Sequence, residues 1–449
     1  MLPMSFIDRH FQLSSNRTTI RTEVMAGLAT FMTLSYIIFV QPAVLAGAGM
    51  DFGAVMVATC LASALATLLM GLYANYPIAL APAMGHNVYF AVTVCGAVSA
   101  GGMGFRWETA LGAVFVSGVV FLALSRYGVR ERLLNAVPDS LKHAIAVGIG
   151  LMIAFVGLQW AGIVVGRPGI LVGLGDLGSR PVLLSLCGLA VTGLLLARGT
   201  PGSILWGILA TAVIGVPLGL VSYSGMVSAP PSLVPTLLKL DLAGLWSAQG
   251  VSIVLIFFFL ALFDTIGTLV GISEQAGFMK NGRLPRAEKA LLADAAGMTA
   301  GSLLGTSTIT SYVESAAGVA VGGRTGLASV VTAACFLLAL FCAPLAKMIG
   351  GGVAGASGAQ LYPVIAPALI VIGSLMLRSV REVPWHDPTE ALPAFLTILV
   401  MPLAVSITDG ITFGLAAYSI LKFGTGRQAD AHWMIHLLAA LMALRYAVQ

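Results

Sequence analysis

Long apolar runs separated by short polar segments organise this chain from end to end. A spanning helix needs about 20 mostly apolar residues. On that measure the sequence predicts fourteen crossings, at 21–45, 53–74, 82–98, 107–126, 140–160, 181–198, 203–222, 249–272, 289–305, 313–324, 327–348, 360–377, 390–407 and 409–424. The last two also read as one hairpin. After them ADAHWMIHLLAALMALRYAVQ is apolar but short, as in an amphipathic helix lying in the membrane interface. The longest polar stretch, Ser222 to Gln249, divides the chain into two halves of seven spans. An odd number per half sends the second half in from the opposite side, the arithmetic of inverted-topology repeats.

The halves share an interruption. The third span begins YPIALAPAMGHN and the tenth GTSTITSYVES, with Pro, Gly, Ser or Thr where a continuous helix would run. Pro and β-branched residues there favour a short extended segment before the helix starts. Interrupted spans at matching places in two halves point to a transport site.

Composition supports the spans. Charged residues are 9% of the chain, against about 25% in soluble domains. Hydrophobic residues are 58%, and mean hydropathy is +0.97. A disordered chain is excluded, and a polytopic membrane protein is expected rather than a soluble enzyme. The 53 glycines suit close helix packing in a bilayer. The five cysteines all lie in apolar runs without metal or disulfide spacing, and read as small core hydrophobes. MLPMSFIDRHFQLSSNR lacks an apolar h-region, so no cleaved signal is expected.

Net charge is +5 and the pI near 9, and the basic residues sit in loops rather than in a nucleic-acid-binding patch. With the N-terminus in the cytoplasm, 18 of the 23 Lys and Arg fall inside, among them Arg130, Arg132, Lys280, Arg283 and Lys422. The other five are Arg106, Arg167, Arg180, Lys239 and Lys347. That bias supports a multi-pass protein of the plasma (inner) membrane with both termini cytoplasmic.

Soluble chemistry has little foothold. The sequence has no GxxxxGK[ST], HExxH or CxxC. GLGDLGSR is Gly-rich but lies in an outside loop without a strand–helix context. No metal site and no cofactor are expected, and transport would be secondary or passive. The ionisable residues inside spans therefore carry the interest, each costing about 2.5–3.5 kcal/mol at a helix centre.

Asp264, in IVLIFFFLALFDTIGTLVGI, is the strongest, a substrate or proton ligand with Thr265 and Thr268 on nearby faces. Its competing role is a structural carboxylate bonded to hydroxyls. Glu314 falls where the tenth span turns helical, so it either caps the helix or faces a ligand. Thr308, Thr310 and Ser311 just upstream suit hydrogen bonds. Asn87 holds the matching place in the third span, and its amide donates and accepts at once. Tyr89 and Phe90 would stack on a flat ligand or simply pack. Tyr36, beside Ser35, matches Asp264 by repeat position. Asp294 and Asp409 read as structural or gating residues.

These stretches resemble the nucleobase–cation symporter 2 superfamily and, within it, the AzgA-like adenine/guanine/hypoxanthine permeases. The resemblance rests on TFMTLSYIIFVQPAVL (30–45), ANYPIALAPAMGHNVYFAVTV (74–94), FDTIGTLVGISEQAG (263–277) and GRLPRAEKALLADAAGMTAGSLLGTSTITSYVESAAGVAVGGRTGL (282–327). It implies an all-α polytopic membrane protein of 14 spans in a 7+7 inverted repeat. A cytoplasmic segment, 1–20, comes first. The core domain would comprise 21–138 and 249–348 (spans 1–4 and 8–11). The gate domain would comprise 139–248 and 349–425 (spans 5–7 and 12–14), followed by a cytoplasmic tail, 426–449. Short mid-membrane strands would pair in spans 3 and 10, with substrate between their half-helices and span 8. Family carboxylates match Asp264 and Glu314, and Thr268 stands where uracil-type relatives carry His. The purine branch usually reads PGMGLNA where this chain has PAMGHNV, so Ala83, His86 and Val88 depart from it. His86 adds a group titrating near neutrality beside the site, or packs away from it. VQP at 40–42 replaces the commoner VNP.

The expected activity is proton-coupled uptake of adenine, guanine or hypoxanthine by movement of core against gate. Asp264, Glu314, the Asn87 amide and backbone near Val313 would pair the purine edges, with Thr268, Tyr89, His86 and Tyr36 around them. Asp264 or Glu314 would take the proton. Partners would be a purine base, the lipid bilayer and a second copy through the gate domain, as in relatives; no nucleic acid is expected. Competing readings are a same-fold carrier of uracil, xanthine, ascorbate or another anion, a membrane hydrolase using both acids, and a non-transporting purine sensor. Carboxylates beside the half-helices argue against an anionic substrate.

Overall fold

The computed structural model describes residues 6–100, 102–126, 138–167, 170–223, 225–278, 284–355 and 360–448. Arg130, Arg132, Lys280 and Arg283 lie outside them, as do parts of the segments 1–20 and 282–327. The protein is mostly helical: α1 (Phe6–Phe11), α2 (Ile20–Leu34), α3 (Ile37–Ala46), α4 (Phe52–Leu69), α5 (Met84–Val88), α6 (Trp107–Arg126), α7 (Asp139–Trp160), α8 (Arg180–Ala197) and α9 (Ser203–Gly215). There follow α10 (Ala248–Gln275), α11 (Ala287–Leu304), α12 (Ser315–Val321), α13 (Gly326–Ala339), α14 (Ala343–Gly350), α15 (Ala366–Met376), α16 (Pro388–Ala404), α17 (Ile407–Gly424) and α18 (Trp433–Val448).

Among the described residues six helical stretches are long and apolar enough to cross a membrane: Ile20–Ala46, Phe52–Ala74, Trp107–Ser125, Asp139–Trp160, Arg180–Ala197 and Gly326–Gly350. Several expected spans are built differently. The first is broken at Ser35–Tyr36, between α2 and α3, and Pro42 lies inside α3. The third becomes a strand, the short α5 and a π-helical turn, Tyr89–Val94. The seventh stops at Gly215 rather than 222.

Helix packing falls into two sets. In one, α2 lies against α12 and α13, α4 against α3, α11 and α13, and α6 against α10 and α11. In the other, α7 lies against α15 and α16, α16 against α17, and α8 against α9 and α15. The sets meet where α5 rests on α7 and α9 on α2. Small residues permit the closest approaches: a Cβ at Gly326 would stand 1.9 Å from the Gly71 carbonyl oxygen. Of the cysteines, Cys60 is buried but Cys187 is exposed on the apolar helix α8, so it is not a core residue.

Short strands join the helices. β1 (Leu80–Pro82) pairs antiparallel with β4 (Ile309–Ser311), with Ala81 opposite Thr310. Two further antiparallel pairs are β2 (Val164–Arg167) with β3 (Ile170–Leu174) and β5 (Val353–Ala354) with β6 (Gln360–Leu361). These last four were not expected, because such short runs between spans carry no periodicity long enough to read. The polar stretch 222–249 is held to the helix ends: Leu238 N–H donates to the Leu303 carbonyl at 2.7 Å, and Thr109 Oγ1 donates to Asp241 at 2.8 Å. That hydroxyl and the Gly244 amide hold the Asp241 carboxyl below its ordinary value.

The second set of helices contains a buried ion pair. Lys422, counted in the sequence among the inside charges, is buried, with its Nζ 2.7 Å from Glu390 Oε1 and donating to Thr389 Oγ1 at 3.1 Å. Ser140 Oγ donates to the other Glu390 oxygen, so the pair ties α7, α16 and α17 together. Nearby, Asp387 caps α16 and pairs with Arg427 at 2.9 Å, and the Arg427 hydrogen bond holds its carboxyl well below the usual range. Removing one member of a buried pair leaves an uncompensated charge, at a cost of about 3–5 kcal/mol. Glu390→Ala is therefore expected to lower the midpoint of thermal unfolding in detergent strongly, and a Glu390→Leu, Lys422→Met double variant to recover most of the loss.

Candidate functional site

Strand β1 and strand β4 set the geometry of the site. Ala83 N–H donates to the Thr308 carbonyl and Tyr312 N–H to the Ala79 carbonyl, both at 3.0 Å, so the pairing continues past each strand. Thr67 Oγ1 serves the other edge, donating to the Leu80 carbonyl at 3.1 Å and accepting from its N–H at 3.0 Å. Ser315 Oγ, at the start of α12, accepts from Ala79 N–H at 2.9 Å. The pairing thus starts the two short helices, α5 and α12, from one crossing point. The first turn of a helix has N–H groups without intrahelical acceptors.

Glu314 stands at the head of α12 and makes no side-chain cap. Its Oε1 instead accepts from the Tyr36 hydroxyl at 2.8 Å. Tyr36 is buried at the break between α2 and α3, so that break aims a phenol at the carboxylate. Thr33 Oγ1 donates to the Glu314 carbonyl at 3.2 Å and fixes the backbone.

Asp264 projects from α10. Its Oδ2 accepts from Thr310 Oγ1 at 2.9 Å, and its side chain is 34% exposed. Thr310 belongs to β4 and Glu314 follows four residues later, so one segment serves both acids. The two carboxyl groups act on each other electrostatically, and both act on the buried Tyr312. Tyr312 in turn donates its hydroxyl to the Pro82 carbonyl, joining this segment to β1.

The remaining sequence candidates divide. Val313 lies beside Glu314 with its side chain 60% exposed, and Thr268 lies one turn beyond Asp264, half-buried. Asn87 is fully buried; its Oδ1 accepts from Ser307 Oγ, and its Nδ2 approaches Met84 Sδ at 3.8 Å. Tyr89 and Phe90 are buried, with Tyr89 edge-on to Phe257 at 5.2 Å, so neither ring offers a free face for stacking. His86 is buried behind Asp264, with Nδ1 3.8 Å from Oδ2. Asp294 accepts from Thr265 Oγ1 at 2.7 Å and Ser311 Oγ at 3.4 Å, tying α10, α11 and β4.

Sequence reading missed a buried polar cluster under the crossing. Gln41 Nε2 donates to Thr306 Oγ1 at 3.0 Å and Ser307 Oγ at 3.2 Å, and Thr59 shares a hydrogen bond with Thr306 at 3.4 Å. It also missed Tyr312. The legible signals were the polar runs TSTITSY and VQP inside apolar spans.

Apolar spanning helices and two half-buried acids at a crossing of strands define an integral membrane transporter. The chain belongs to the permease family: a family model described as "Permease family" matches residues 21–413, and its members are transporters rather than enzymes. It is 42% identical to the adenine permease AdeP of Escherichia coli over 98% of this chain and 95% of that protein. It is also 42% identical to the guanine/hypoxanthine permease PbuO of Bacillus subtilis, over 97% of this chain and 99% of that one. Among solved structures, the transmembrane domain of the cyanobacterial bicarbonate transporter BicA shares the fold, with a TM-score of 0.61 at 15% identity over 87% of this chain and 97% of that one.

Proposed function

We propose that this permease carries purine nucleobases into the cell across the plasma membrane, coupled to protons. The observation that carries the reading is the pair Asp264 and Glu314. Each is held from one side by a hydroxyl, Thr310 or Tyr36, and each keeps acceptor capacity for a ligand. A purine edge alternates donors and acceptors. A carboxylate accepts from its N–H groups, and a protonated carboxyl also donates. Proton and substrate would then bind the same groups, which is the physical basis of coupling. Relatives named as adenine and guanine/hypoxanthine permeases support the substrate class.

In this reading the chain crosses the bilayer fourteen times as two inverted halves. The core comprises 21–138 and 249–348 and the gate 139–248 and 349–425, in line with the two packing sets. The core moves against the gate while the base is held, and the contact between α5 and α7 lies on that path. A Cβ at Gly85 would meet Ile149 Cγ2 at 2.5 Å. Gly85→Ala is expected to slow uptake while leaving stabilisation of the purified protein by purines intact, because it obstructs movement rather than the acids. The substrate class is tested by thermal stabilisation of purified protein with adenine, guanine, hypoxanthine, xanthine and uracil. Stabilisation by at least one of the first three, exceeding that by uracil, supports the reading. Indifference to all three purines contradicts it.

A further inference from the structure

His86 is a buried titratable group with no part in the mechanism above. Its side chain is 2% exposed, and Nδ1 lies 3.8 Å from Asp264 Oδ2, longer than a hydrogen bond. The Leu260 carbonyl, one turn earlier on α10, also faces the ring. Nε2 is buried and makes no side-chain hydrogen bond among the described residues. On the other side of α5, Gly85 meets α7 at the apolar Ile149. The second acid, Glu314, and the neighbouring Tyr36 and Tyr312 form no ion pair with His86 among the described residues.

A ring faced by two acceptors presents an N–H to them. With Nδ1 directed at Asp264, the neutral tautomer protonated on Nδ1 is the one that fits. Thr310 Oγ1 bonds the same oxygen from β4 at 2.9 Å. Thr310 on β4 and His86 on α5 thus face the same carboxylate oxygen, Thr310 at hydrogen-bond distance and His86 Nδ1 at 3.8 Å. Oδ1 is left as the oxygen free to meet a ligand.

We propose that His86 is a positioning residue for Asp264: with Thr310 it clamps Oδ2, fixes the plane of the carboxyl and reserves Oδ1 for substrate and proton. This rests on the reading of Asp264 as a ligand-facing acid of the site proposed above. It makes the amide variants unequal. Asparagine places its Nδ2 where histidine has Nδ1, whereas glutamine places its nitrogen near the position of Nε2. Leucine keeps bulk and loses the donor.

The test compares His86→Asn, His86→Gln and His86→Leu in two assays. In purine uptake, His86→Asn is expected to stay within about threefold of wild type. His86→Gln and His86→Leu should fall about tenfold or more, the loss of one hydrogen bond to a charged group. In infrared spectra of purified protein, the carboxyl band that Asp264→Asn removes is expected to shift in His86→Leu and His86→Gln and to return in His86→Asn. A merely packing histidine gives the opposite order, with leucine tolerated at least as well as asparagine and the band unmoved; that result overturns the assignment. If His86→Leu fails to fold, His86→Gln carries the same comparison. The spectral assay needs no ligand, so absence of purine uptake by wild type would count against the transport reading and leave the clamp to be decided by the band.

Discussion

Glu314→Gln is expected to reduce purine uptake by about 100-fold or more while the protein still reaches the membrane. The wild-type carboxylate accepts from Tyr36 at 2.8 Å and sits at the head of α12 without capping it. Glutamine preserves size and part of that hydrogen bond but can neither carry the charge nor exchange a proton. Each lost hydrogen bond to a charged group is worth about 1.5–3 kcal/mol, and 1.4 kcal/mol is a factor of ten in affinity. Loss of the proton site then removes accumulation as well. Tyr36→Phe is the milder companion: it removes one donor and keeps the acid, so uptake should weaken without losing its dependence on a pH gradient. Labelled adenine and hypoxanthine uptake in cells lacking their own purine permeases reads both. Uptake by Glu314→Gln at the wild-type level would remove Glu314 from the mechanism.

Asp264→Asn is expected to have an effect of the same order. Thr310 would still meet an oxygen at this position, so folding should survive. What disappears is a group that alternates between charged and neutral forms at a partly open position. Binding and transport can then be separated. The variant should lose concentrative uptake entirely, whereas residual exchange of labelled for unlabelled purine, which needs no net proton movement, falls less steeply. A variant that still concentrates purine would show that Asp264 is a structural carboxylate.

Asp294 shows why the sequence alone left those roles open. It too is an acid in an apolar span, yet it is fully buried and accepts from Thr265 and Ser311. In sequence each is a lone acid in an apolar span; in the structure Asp294 is fully buried while the Asp264 side chain is 34% exposed. Glu314 stood out because polar residues interrupt a span just before it, whereas repeat position matched Tyr36 to Asp264 and gave no sign of its hydrogen bond to Glu314. Asn87 holds the place in α5 that matches Glu314 in α12, and there Ser307 donates to its oxygen within the interior. Tyr89 and Phe90 read from sequence as stacking or packing rings, and both are buried beside Phe257. The Gln41 cluster escaped notice because single neutral polar residues in apolar helices give no charge signal, and their meeting depends on a contact 265 residues apart in sequence. The burial of Lys422 went unread for a related reason: a lysine at a span end shows no partner until the facing helix is known.

Reconstitution offers the most direct measurement of coupled purine transport through these two acids. Purified wild-type, Asp264→Asn and Glu314→Gln proteins would be placed in liposomes under an inward proton gradient with labelled adenine, guanine or hypoxanthine outside. Wild-type vesicles should accumulate at least one base above its external concentration and lose that excess when a protonophore is added, while both variants should only equilibrate it or take up none. Wild-type accumulation that ignores the protonophore, or accumulation that persists when both acids are neutralised, would contradict the account.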